Sequence, residues 1–318
     1  METNPEYSSD DVINHLLDSK KPFNPQFLHF FSDISIDDLD KIKHIWSEIN
    51  RDRKYNLLRD LESLMETNTL VSCDEIGYFA LQDDDPRIRS QAIPLLWECS
   101  DIKLISTFMN FLQNDSSFEV NASAAAALGK FVLLGELEEI PEEPAKMVQD
   151  LLINEYFKTE NDTTKRRILE SLGYSSNEKV NQFISSAFKK DDKKWHLSAL
   201  FAISRSANNI WDKVVVEKLT DLDPDIQIEA IKAAGELEIE SAKEQIIEFM
   251  KSSTPDEELH MQAIWALSKI GGNDIKELFE EMIEEIEDDE KADTLEMAMD
   301  NLDLTNGIPS FGLFDQRN

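Results

Sequence analysis

Cysteine is nearly missing. Cys73 and Cys99 are the only two in 318 residues, too few for a disulfide framework or a zinc site of paired thiolates, so both read as buried thiols. Histidine is also sparse: His15, His29, His44, His196 and His260 stand apart, none with a partner at metal-ligand spacing, and no metal is expected. The nine glycines are dispersed, which leaves no glycine-rich phosphate loop, and Gly271-Gly272 reads as a helix end. No serine sits in a recognisable nucleophile turn. The chain therefore reads as non-enzymatic, with no catalytic residue and no cofactor assigned. No uninterrupted apolar run approaches the ~20 residues of a membrane-spanning helix, and the start, METNPEYSSDDV, has no apolar segment of the secretory kind. The expectation is a cytoplasmic protein without a membrane partner.

Basic residues are scarce as well. Thirty-two stand against 65 acidic ones, a net charge of -33. Such a surface repels phosphate backbones and excludes nucleic acid as a general partner; a protein partner with a basic surface fits it better. Apolar residues still make up 41% of the chain, enough to bury a continuous core. The acid is uneven, with 13 acidic and two basic residues over 274–300. A solvated terminal cap explains that run, and docking of a basic partner is the sharper alternative. Against this background Lys165, Arg166, Arg167, Lys189, Lys190, Lys193 and Lys194 form one small basic patch in the repeat register, with Asp162, Asp191 and Asp192 expected to neutralise much of it.

What the chain has in abundance is one apolar phrase. DPRIRSQAIPLLWEC (85–99), DPDIQIEAIKAAGEL (223–237) and PDEELHMQAIWALSKI (255–270) are versions of it. Aligned on Ala92, Ala124, Ile168, Ala199, Ala230 and Ala263, the copies carry Ile88, Val120, Thr164, Trp195, Ile226 and Leu259 four residues earlier. Four residues later come Leu96, Leu128, Leu172, Ile203, Ala234 and Leu267. This spacing puts all three columns on one helical face. The next column, Trp97, Gly129, Gly173, Ser204, Gly235 and Ser268, is mostly small and suits a close helix crossing. Asp85-Pro86 and Asp223-Pro224 place a capping acid before a first-turn proline, and Thr254-Pro255-Asp256-Glu257 fits a capping box.

A second apolar helix follows each first one, over 101–113, 144–157, 177–188, 209–219, 240–251 and 273–286. A looser pair covers 53–66 and CDEIGYFALQ, and 288–302 reads as a closing half-repeat. A hairpin of about 30 residues cannot bury its own stripe, so neighbours must stack. The organisation expected is an N-terminal segment with capping helices (1–50), a repeat array (51–302) and a C-terminal tail (303–318). The acidic stretch LGELEEIPEEPA (134–145) inserts between the two helices of one repeat and reads as a solvated surface loop, with a place on the binding side as the sharper alternative.

The D-P-x-I-x-x-x-A-I-x-A-L-G phrase resembles HEAT repeats, most of all the short bacterial class called PBS-lyase HEAT-like repeats, over roughly residues 53 to 302. The resemblance implies an all-α fold, an alpha-alpha superhelix of stacked hairpins, and is weak for function because that class serves many roles. Such repeats often stack an Arg just after the first aliphatic into a polar ladder. Here that column reads Arg89, Asn121, Lys165, His196, Gln227 and His260, so the ladder is mostly dismantled. Some HEAT-like enzymes are iron hydroxylases built on His-Glu pairs, and this chain has no His-Glu dipeptide. Trp97, Trp195, Trp211 and Trp265 fall on or next to core positions and read as core packing.

The function expected is a non-catalytic protein-interaction scaffold whose second helices line a concave face. Asn110, Asn181, Ser185, Glu244 and Glu248 are its candidate contacts by helix position, and apolar anchors supply the affinity. In the tail, Phe311, Leu313 and Phe314 stand where no hairpin requires them, either covering the last repeat or offered to another protein or another copy of this one. Two alternatives are a lyase-like or other enzyme accessory protein, and an acidic mimic of nucleic acid that occupies basic proteins.

Overall fold

A computed structural model describes residues 8–251, 257–285 and 289–307, and the described residues contain helices and no strand. The chain divides into two compact units, Met1–Leu172 and Gly173–Asn318.

The first unit opens with α1 (Ser9–Leu17), started by a capping box in which the Ser8 hydroxyl accepts from the Asp11 N–H and the Asp11 carboxylate accepts in return. A 3-10 segment (Pro25–Phe31), α2 (Ile36–Ile45) and a short 3-10 turn (Trp46–Glu48) complete the N-terminal segment. The helical pairs follow: α3 (Arg51–Thr67) with α4 (Asp74–Ala80), α5 (Pro86–Ala92) with α6 (Lys103–Asn114), α7 (Phe118–Glu136) with α8 (Glu142–Lys158), then α9 (Asp162–Leu172). The second unit holds α10 (Lys179–Ala187), α11 (Lys193–Ser204), α12 (Asp212–Lys218), α13 (Pro224–Glu236), α14 (Lys243–Lys251), α15 (Glu257–Ile270), α16 (Asn273–Glu285) and α17 (Asp289–Gly307).

Every residue of the three aligned columns, eighteen side chains in all, is buried. A fully buried Leu or Ile contributes about 1.5–3 kcal/mol relative to exposure, and the stripes obtain that burial only by stacking. In the first unit α5, α6, α8 and α9 all pack on α7; in the second, α11, α12 and α15 pack on α13, and α14 and α17 on α15. Small residues permit close crossings between first helices. A Cβ on Gly129 of α7 would lie 2.9 Å from Ser171 Oγ on α9, and one on Gly235 of α13 would lie 2.7 Å from Ala266 Cα on α15. Helix α7 is long and apolar enough to cross a membrane by length and composition alone, but half of that window is buried against its four neighbours.

Three local readings differ from the structure. Residues 134–145 do not form a loop: the stretch lengthens α7 and α8, and only 137–141 connects them. Glutamates are good helix formers, while Pro141 and Pro144 stand at the cap and first turn of α8, where no helical hydrogen bond is lost. Next, α5 stops at Ala92 and continues as a 3-10 turn (Pro94–Leu96), because Pro94 cannot extend the hydrogen-bond ladder. Trp97, at the end of that turn, is 45% exposed rather than core, whereas Trp195 and Trp211 are buried and Trp265 is half-buried.

The dismantled ladder has a replacement. Arg89 donates to the Asp83 and Asp84 carbonyls at 2.8 and 3.0 Å, Asn121 to the Asp115 carbonyl at 3.0 Å, His196 Nε2 to the Lys190 carbonyl at 2.8 Å, and Gln227 to the Leu219 carbonyl at 3.3 Å. Each side chain reaches back into the turn just before its own helix. Arg89 also grips both oxygens of Asp115 at 2.9 Å, and Lys165 lies over the Tyr156 ring. Asp85 and Asp223 accept from the N–H groups of Arg87 and Asp225, as the Asp-Pro starts require. Thr254, Pro255 and Asp256 lie outside the described residues.

Among the described residues one charged pair is buried on both sides. Lys54 and Asp83 meet at 3.0 Å with side chains 9% and 7% exposed. Asp83 also accepts from the Trp46 indole N–H at 2.6 Å and the Asp85 N–H at 2.8 Å. Burial pushes the Asp83 carboxyl up, but the Asp85 N–H, the Lys54 ammonium and the Trp46 indole together hold it below its ordinary value.

Candidate functional site

The expected contact residues sit on second helices. Asn110 is exposed on α6 and accepts from the Asn114 amide; Asn181 and Ser185 are half-buried on α10, where Ser185 Oγ donates to the Asn181 carbonyl; Glu244 and Glu248 are exposed on α14. Phe311, Leu313 and Phe314 lie outside the described residues.

The basic run is engaged at several points. In the first unit Arg167 pairs with Glu170 at 2.6 Å. In the second, Lys190 lies 3.4 Å from the Trp195 ring centroid, and Lys193 pairs with Asp223 and Asp225. Asp192, expected to neutralise the run, instead caps α11 through the Lys194 and Trp195 N–H groups.

A concave site opens on the first unit, along the first helices. A groove of about 710 Å³ is lined by Glu62, Met65 and Glu66 of α3, by Ser90 of α5, by Ile93, Pro94, Trp97 and Glu98 around the 3-10 turn, by α7, and by Thr163 and Arg167 of α9. Its geometry follows from sequence. Glu62 and Glu66 are four apart and share one helix face. The run NASAAAALG gives α7 a floor of Ala122, Ala126 and Ala127, with Glu119 and Ser123 beside it. Pro94 breaks the neighbouring helix and the Trp97 indole comes out into the groove. A smaller recess of about 280 Å³, lined by Tyr55, Arg87 and Gln91, shares Ser90 and Glu119 with it.

Polar contacts fix these walls. Ser90 Oγ and Ser123 Oγ are 2.8 Å apart, joining α5 to α7. Gln91 donates to the Glu62 carboxylate. Burial raises the Glu62 carboxyl above its ordinary value, the Gln91 bond working against it and the Glu66 charge with it. Lys130 of α7 donates to the Trp97 carbonyl at 2.6 Å. Four carboxylates face the main groove against one guanidinium, that of Arg167, already paired with Glu170. In the recess, Arg87 is paired with Asp85 and Asp52. Such a groove is suited to binding; among the described residues no group of three or more His, Cys, Asp or Glu side chains is arranged to hold a metal.

A family model for HEAT repeats matches residues 213–299. Over that span the chain carries HEAT repeats. Outside the matched span, the same buried columns recur from Ile88 onward. HEAT repeats are generally protein-interaction scaffolds and typically non-catalytic. A search of curated proteins finds no match. Among solved structures, the X-ray structure of Escherichia coli YibA is similar at 14% identity over 87% of this chain and 95% of that one, with a TM-score of 0.46. A designed armadillo repeat protein is similar at 15% identity over 61% and 98%, TM-score 0.36. Human deoxyhypusine hydroxylase in complex with glycerol is similar at 14% over 82% and 95%, TM-score 0.34. At such identities and scores no activity, ligand or partner passes from these proteins to this chain.

Proposed function

We propose that this HEAT-repeat chain is a non-catalytic scaffold that receives a segment of a partner protein in the groove of its first unit. One observation carries the reading: a tryptophan in a column of glycine and serine is 45% exposed and lines a groove of about 710 Å³. Tryptophan is the residue type most enriched among binding hot spots, and its effect is greatest where a partner displaces water from a concave surface. The alanine floor lets a partner's chain approach α7 closely, and the carboxylates form a polar rim. The second-helix contacts Asn110, Asn181, Ser185, Glu244 and Glu248, and the tail residues Phe311, Leu313 and Phe314, belong to the same proposal as secondary contacts.

The test is site-specific photocrosslinking in cells, with a benzophenone amino acid in place of Ser123 on the groove wall and, as a control, in place of Asn110 on α6. The reading expects a discrete adduct from position 123 that Trp97→Ala abolishes while helicity by circular dichroism stays unchanged. Equal adducts from both positions, insensitive to Trp97, would overturn it.

A further inference from the structure

The groove's chemistry narrows its occupant, given the reading of it as a partner site. We infer that the groove takes a basic segment of a partner protein, a lysine or arginine side chain lying on the Trp97 ring with its charge toward the carboxylates of Glu62, Glu66, Glu98 and Glu119.

Two other tryptophans show what this chain does with an indole face. Lys54 lies 4.9 Å from the Trp46 ring centroid, and Lys190 lies 3.4 Å from that of Trp195. Indole is the strongest of the aromatic faces for a cation. Among the described residues no lysine or arginine lies on the Trp97 ring, although that ring is the more exposed. Lys130, whose ammonium reaches the Trp97 backbone, is committed to the Trp97 carbonyl instead. Burial lowers the Lys130 pKa, with Glu98, Cys99 and Asp74 opposing that shift, so its ammonium is fixed against the backbone and is not spare charge for the groove.

The rim points the same way. Glu62 and Glu66 face the groove from α3, Glu98 from the end of the 3-10 turn and Glu119 from α7. The one guanidinium among them, Arg167, is paired with Glu170 through a single Nη1 contact. Carboxylates from three walls around a bare indole match a partner's cation in charge and aromatic preference together. Burial already disfavours ionisation of Glu62, and an entering cation would relieve that cost. The net charge of -33 speeds the approach of such a segment.

The experiment is fluorescence anisotropy on the full chain with three labelled synthetic peptides: one alternating Leu and Lys, one with each Lys replaced by Gln, and one with each Lys replaced by Glu. The Lys peptide alone should bind, more weakly as sodium chloride rises. Trp97→Ala and the double variant Glu62→Gln/Glu66→Gln should each weaken it roughly tenfold, and Trp97→Phe should retain part of the affinity. Circular dichroism and the urea midpoint show whether each variant is folded; a misfolded double variant is replaced by Glu98→Gln/Glu119→Gln. Equal binding of the Gln peptide would overturn the basic occupant and leave the partner groove standing. Lys-peptide binding unchanged in both variants would mean general attraction to an acidic surface and would overturn the inference. The crosslinking at position 123 fails or succeeds independently of either result.

Discussion

Lys130 donates a hydrogen bond from its ammonium group to the main-chain carbonyl of Trp97 at 2.6 Å, spanning 33 residues of sequence. It ties α7 to the point where Pro94 has stopped α5, and so holds the backbone beneath the exposed indole. Lys130→Met keeps the alkyl packing and removes that bond. The expected outcome is a loss of about 1 kcal/mol in urea denaturation, with Trp97 more open to acrylamide quenching than in the parent.

Trp97 and Trp195 should separate cleanly when truncated. Trp195 is 1% exposed and Trp97 is 45% exposed. Trp195→Ala should cost about 3–5 kcal/mol, whereas Trp97→Ala should cost well under half of that, because much of the ring already meets water. Urea midpoints of the two variants measure the difference; similar losses would mean that Trp97 is a core residue after all.

Asp83 tests the buried pair. Asp83→Asn leaves Lys54 with an uncompensated buried charge, which should destabilise the chain by about 3–5 kcal/mol near pH 7. Because the folded-state carboxyl lies below its ordinary 3.8, its contribution is fully present above 3.8 and is lost as pH falls through the lower folded-state value. Stability curves for parent and variant should therefore run parallel between pH 5 and 7 and converge only in stronger acid.

Gly235→Ala sets helix propensity against packing. Alanine in a helix interior gains about 1 kcal/mol over glycine, yet the new methyl would lie 2.7 Å from the Ala266 Cα. Backbone cannot move aside cheaply, so a net loss of about 1–3 kcal/mol is expected in chemical denaturation.

Cys73 is 1% exposed, and burial, with the charges of Asp74 and Asp33, pushes its thiol up to about 12. Iodoacetamide at pH 8 should leave Cys73 unmodified in the folded chain and alkylate it in urea, as peptide mass mapping will show.

The repeat architecture was legible because burial repeats with the helix. Ile88, Ala92 and Leu96 set a register that all later copies keep, and every member of it is buried. The groove was harder to see, since its walls come from four helices each separated in sequence by an intervening helix, and only depth reveals their convergence. Even so, Trp97 carried a signal: a large ring in the column of Gly129, Gly173, Gly235 and Ser268 cannot occupy a close crossing, and Pro94 three residues earlier marks a broken helix. Reading Trp97 as core passed over both. The glutamates of 134–145 looked like loop because of their two prolines, although both stand where helices tolerate proline. In the old ladder column, Arg89, Asn121, His196 and Gln227 differ in size and charge, but each brings an N–H donor, and that shared capacity is what the fold uses.

Those four donors also bear on how the chain is made. Arg89, Asn121 and His196 each find a carbonyl six residues behind them. At synthesis rates of about 5–20 residues per second, that acceptor leaves the ribosome within roughly a second before its donor. Each of these bonds can therefore form as soon as its own helix is made, ahead of the stacking that buries the stripe, and short sequence separations of this kind favour rapid folding. A nascent chain of this protein is equipped to assemble in the order in which it is translated, one junction at a time.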